Sequence, residues 1–170
     1  MNSSKQSGIT ISSIFSKYGL PVGLILIAFR VVTFLADIDK EKWVVYLSWG
    51  VLLLAIIFCI YDAKKGQKNL ISFKDAFNTG FFAAMLGILI SSVYLFIHVQ
   101  FVDTTFFEVM AQLQKAEVIK SGVSEELAEK SLQMASQFNT PLIYTVIDCI
   151  FNIFISAVFS AVSAVIMKKD

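Results

Sequence analysis

Three ionisable side chains stand inside runs that are otherwise apolar: Arg30, His98 and Asp148. A charge at the centre of a membrane helix costs about 2.5–3.5 kcal/mol on insertion scales. Asp148 is the sharpest case, because its short side chain cannot reach the boundary as an arginine can. It needs a cation, a water-filled cavity or a proton. Arg30 is the best-placed cation and His98 the next. Counting residues from the ends of their runs puts Asp148 about 10 Å, Arg30 about 9 Å and His98 about 6 Å below one boundary.

The neighbours of these groups point to an inward seam. Asp148, Asn152 and Ser156 follow i, i+4, i+8, with Thr145 three residues earlier. Gly80, Ala84, Gly87, Ser91, Tyr94 and His98 form a second stripe at helical spacing. Small residues let membrane helices approach closely, and Ser or Asn can bond across the contact. The candidate site is therefore a polar seam of Arg30, Ser91, His98, Asp148 and Asn152. Two readings stay open: an Arg30–Asp148 pair that sets helix register, or a proton-responsive or ligand-binding pocket.

Other chemistry has little support. A single histidine allows no H-E-x-x-H zinc helix. There is no G-x-x-x-x-G-K-[ST] phosphate loop and no G-x-S-x-G elbow. Ser91 lies about 10 Å of helix rise from His98, too far for a nucleophile–base pair. The expectation is no enzyme, no cofactor and no metal.

The elements that carry the seam follow from composition. The chain is 56% hydrophobic with sixteen Phe, more than one soluble core would hide. Four runs have the roughly 20 apolar residues that a bilayer needs. They give spans of about 18–36, 43–61, 77–102 and 141–167. The connector "DIDKEK" makes the first two antiparallel neighbours. Trp43, Tyr46, Trp49 and Tyr61 sit where interfacial aromatics belong. Residues 1–17 read as a polar tail ahead of an uncleaved anchor. Cys59 and Cys149 fall near opposite membrane faces and read as unpaired small apolar groups.

Residues 103–139 depart from this pattern. Asp103 is positioned to cap a first helix, Ser121-Gly122 to stop it, and Ser124 to cap a second that ends near Phe138. Phe106, Met110 and Leu113 share one face, and Leu127, Met134 and Phe138 another, for packing or for docking a partner. Ser72 and Asp75 fit a cap that starts a helix at Phe73. The fold class is thus all-α: a single polytopic membrane domain over 1–170, with four transmembrane helices and an extracytoplasmic helical hairpin between the third and fourth.

Charge orients it. Lys5, Lys17, Lys64, Lys65, Lys68, Lys74, Lys168 and Lys169 share one side. Lys40, Lys42, Lys115, Lys120 and Lys130 share the other, diluted by nine carboxylates. The positive-inside rule then places both termini in the cytoplasm. The lysines around Gly66 serve as this topology signal or as a lipid head-group patch. A net charge of +1 indicates no nucleic-acid partner.

"NLISFKDAFNTGF", "FVDTTFFEVM", the "GVSEEL" turn and the terminal "MKKD" together resemble a bacterial membrane protein family, domain of unknown function 4199. The resemblance implies a chain of this length, four spans, and a charged insertion before the last. It also implies a proline after the aspartate that opens the insertion, where this chain has Thr104. It supplies no activity. The expected function is a structural or accessory protein of the inner membrane, acting through protein contacts at 103–139 or through lipid. The alternative is a small transporter or channel coupled to ions or protons through Asp148, which four helices could form only as a homo-oligomer.

Overall fold

The computed structural model describes residues 11–136 and 140–168. The first part of the tail, Phe138 and the end of the chain lie outside them. Helices run α1 (Ile11–Ile14), a π-helical turn (Phe15–Gly19), α2 (Leu20–Leu35), α3 (Lys42–Gly66), α4 (Phe73–Ile97), a second π-turn (His98–Val102), α5 (Phe106–Lys120), α6 (Glu125–Ser136) and α7 (Pro141–Met167). Four of these stretches are long and apolar enough to cross a membrane: Phe15–Leu35, Lys42–Gly66, Phe73–Val102 and Pro141–Met167.

The helices begin and end for local reasons. Ser72 accepts the Asp75 amide at 3.1 Å, the cap expected there, and its hydroxyl donates to the Asp75 carboxylate at 2.9 Å. At α7, Thr140 accepts the Ile143 amide and Pro141 takes the first helical position, where no N–H is needed. Gly122, at φ 92°, ends α5 with paired bonds from Gly122 N–H to Ile119 and from Val123 N–H to Val118. The same motif closes α2, with Asp37 at φ 55° in the left-handed position.

Two boundaries differ from expectation. The tail is already helical from Ile11, so Lys17 is part of the first helix. The second helix continues five residues past Tyr61, which places Asp62, Lys64 and Lys65 on it rather than in a loop. Asp, Lys and Gly cost little at the solvated end of a helix, and basic residues suit a C-terminal turn. A third correction concerns Asp103. It ends the π-turn, its amide bonding to the His98 carbonyl, and its carboxylate receives the Thr105 hydroxyl; Thr105 is the N-cap of α5 and gives no side-chain cap bond.

The structure divides into two compact units, residues 1–91 with 151–170, and residues 92–150. In the first, α4 packs through glycines. A Cβ on Gly87 would lie 2.5 Å from Val22 and 3.0 Å from the Gly23 amide nitrogen. One on Gly80 would lie 3.0 Å from Ile56 and Ile60 and 3.2 Å from the Ser160 hydroxyl. The small-residue stripe therefore faces the first span at Gly87; it meets the second and fourth at Gly80. Leu52, Ile56, Ile60, Ala83 and Ala84 complete this core, and Trp49 packs on Phe151 at 5.9 Å. Along α7 the buried stripe continues past Ser156 to Ser160, Ser163 and Ala164. Large apolar side chains such as Leu24, Leu54, Phe58, Phe154 and Ile166 stay exposed, which a surface solvated by lipid requires.

In the second unit, Leu95, Val99 and Phe106 form a small core with Phe107, Met110 and Tyr144 against it. Phe106 and Phe107 both lean on the Tyr144 ring, at 5.1 and 5.9 Å. α5 and α6 are joined by Lys115, which reaches Glu129 at 2.7 Å and Glu125 at 3.0 Å. Met110 packs as expected, whereas Leu113 is exposed. The face expected on α6 is also outward: Leu127 and Met134 are 58% and 65% exposed, and the helix buries Ala128 instead.

Candidate functional site

The residues expected to form the seam fall in both units. In the first, Ser91 is buried and its hydroxyl has no hydrogen-bond partner, as is true of Thr79 and Ser160. Arg30 is partly buried, and the Thr33 hydroxyl donates to its carbonyl at 3.0 Å. Asn152 is partly buried on the same side of α7 as Ser156. In the second unit, His98 is buried at the start of the π-turn, with Tyr94 Oη 3.2 Å from its Nδ1. Asp148 is partly buried within α7. Arg30, His98, Asp148 and Asn152 are all engaged by polar, ring or electrostatic interactions.

A polar group that sequence reasoning did not single out lies wholly within the first unit. Lys17 and Tyr18 come from the first π-turn, and Asp62 from the last turns of α3. Lys17 Nζ sits 2.6 Å from Asp62 Oδ2, and the Tyr18 hydroxyl donates to the same oxygen at 2.8 Å. Tyr18 is buried, so it holds the carboxylate from the protein side. Lys17 and Asp62 keep 60% and 37% of their side-chain surface exposed. An ion pair so open contributes at most about 1 kcal/mol to stability, so it is easily opened. The Lys17 ammonium also lies 4.9 Å from the Tyr18 ring centre.

These residues line an open cleft of about 240 Å³ with Ser13, Ala63, Gly66 and Gln67. A Cβ on the exposed Gly66 would meet nothing within 4 Å. Around it stands further positive charge. Lys64 is committed to the C-terminus of α7, donating to the Met167 carbonyl at 2.7 Å. Lys65 and Lys68 are exposed. The cleft thus offers one ammonium, one carboxylate and uncharged polar groups.

The signal for this cluster was present in the sequence. Lys17 opens the first span and Asp62 closes the second, so a short link between the spans brings opposite charges to one membrane face. What concealed it was the assignment of both to non-helical segments. Helices containing a π-turn often do so at functional positions, and both π-turns here carry polar clusters.

No curated protein and no solved structure matches the chain. The family model for a protein of unknown function, DUF4199, matches residues 17–169, which takes in all but the first two residues of the four spans, the charged insertion and most of the cleft, and the chain belongs to that family.

Proposed function

We propose that this protein is a non-enzymatic structural or accessory component of the bacterial inner membrane, acting through protein and lipid contacts. Its termini face the cytoplasm and the α5–α6 pair lies outside, as the distribution of lysines favours. The observation that carries the reading is the outward apolar face of α6. Leu127 and Met134 are exposed on a helix that is not among the four long, apolar ones. Exposed apolar groups away from the bilayer favour a protein contact.

The test is crosslinking and mass spectrometry of the full chain in native membranes. A partner joined through residues 125–134, and lost when Leu127 and Met134 are both changed to Ser, supports the reading. PH-dependent ion flux in liposomes containing only this protein, abolished by Asp148→Asn, would overturn it in favour of a coupled transporter.

A further inference from the structure

We propose that the Lys17–Tyr18–Asp62 cleft binds the zwitterionic head group of an aminophospholipid, the phosphate on Lys17 and the ammonium on Asp62. The position argues for a membrane lipid. Lys17 lies in the first turns of one span and Asp62 in the last turns of the next, and a connector of a few residues joins their other ends. Both charges are therefore at one membrane boundary. Exposed apolar side chains flank them: Phe15 and Leu20 beside Lys17, Phe58 and Tyr61 beside Asp62. A charged cleft on helices that expose apolar side chains within four residues of both charges suits an amphiphile. Its volume of about 240 Å³ suits a head group, being below the roughly 300–1,000 Å³ of sites for drug-sized ligands.

The chemistry argues for a zwitterion. Lys17 and Asp62 are paired in the cleft, so an anion alone would strand the carboxylate and a cation alone the ammonium. A ligand carrying both charges exchanges one ion pair for two. Lys17 is exposed and free to turn outward. Asp62 stays in place when it does, because the buried Tyr18 hydroxyl continues to hold its Oδ2. Gln67 also lines the cleft, and Lys65 adds positive charge nearby. A primary ammonium can donate to Asp62, whereas the quaternary ammonium of phosphatidylcholine cannot.

This deepens the lipid-contact part of the proposed function and rests on that reading. Retention of the lipid by a chain that joins no protein complex would leave the site standing and remove the accessory role. The test is native mass spectrometry of the full chain in mild detergent with equal amounts of phosphatidylethanolamine, phosphatidylglycerol and phosphatidylcholine. Phosphatidylethanolamine should be retained about tenfold over the other two, the worth of one charge-assisted hydrogen bond. Asp62→Asn should erase that preference while keeping phosphatidylglycerol, and Lys17→Gln should weaken both. Equal retention of the three lipids by the unmodified protein overturns the proposal, and needs no variant to fold. So does a preference that survives Asp62→Asn in a variant with unchanged helical circular dichroism. Free phosphoethanolamine competing as well as the lipid would assign the cleft to a soluble zwitterion and overturn the membrane source.

Discussion

Gly87 and Gly50 show how unequal two helical glycines can be. Gly87 faces Val22 and the Gly23 backbone at distances no side chain tolerates, while Gly50 of α3 faces open space. Gly87→Ala should destabilise the folded protein by about 1–3 kcal/mol through overpacking. Gly50→Ala should be neutral or stabilise by about 0.5–1 kcal/mol, because it removes a helix-interior glycine. Thermal unfolding of the two variants in detergent measures the contrast. Ser160 makes a second, less intuitive case. Its side chain is fully buried and its hydroxyl lacks a hydrogen-bond partner. An unsatisfied buried hydroxyl costs on the order of 1–3 kcal/mol, so Ser160→Ala should raise the unfolding temperature. A fall would show that the hydroxyl is satisfied in the membrane. Neither glycine's role was readable from spacing alone. The stripe could be counted along α4, but which helix it faced depended on how α4 was rotated.

At the scale of elements, Lys115 of α5 bridges two exposed glutamates of α6, and the small contribution of that bridge should follow its titration. The Glu129 carboxyl is held below its ordinary value of 4.5 by the hydrogen bond from Lys115. The Lys115 ammonium is held above its ordinary 10.5, chiefly by Glu129 and then by Glu125. A lowered carboxyl contributes stability above its unfolded value and loses it as pH falls through the folded one. A raised ammonium contributes below its unfolded value and loses it as pH rises through the folded one. Amide-exchange protection in α5 and α6 should therefore be greatest between about pH 4.5 and 10.5, decline on either side, and respond less to pH in Lys115→Met. Protection that is flat across this range in the unmodified protein would refute the dependence. The α4 cap is a second element-scale case. Ser72→Ala should cost about 1 kcal/mol and loosen the first turn at Phe73, seen as faster exchange there. Both caps of this kind, Ser72 and Ser124, were legible because the signal is local: a hydroxyl and the amide three residues on. Asp103 was misleading for the same reason, since its carboxylate was engaged by Thr105 and its backbone by the π-turn.

For the whole molecule, orientation is the property most open to test. An impermeant maleimide should label Ser121→Cys from outside intact cells and label Gln67→Cys only after lysis, in a background with Cys59 and Cys149 replaced by Ala. The opposite pattern would invert the assignment. The sequence by itself determined four apolar helices, their order, the Ser72 and Ser124 caps and the charged segment before the last. Each of these follows from hydropathy, length and hydrogen bonds a few residues long, which tertiary structure cannot much alter. Only the tertiary structure decided the rotation of each helix: that Gly87 meets Val22, that Ser160 is buried at Gly80, that α6 turns Leu127 and Met134 outward. A 3.6-residue period states that a face exists and leaves its partner unspecified, because every neighbouring helix is apolar. It also decided where the ends of α2 and α3 meet. Lys17 and Asp62 are 45 positions apart in the sequence, and only the antiparallel packing of their helices puts ammonium and carboxylate 2.6 Å apart over one cleft.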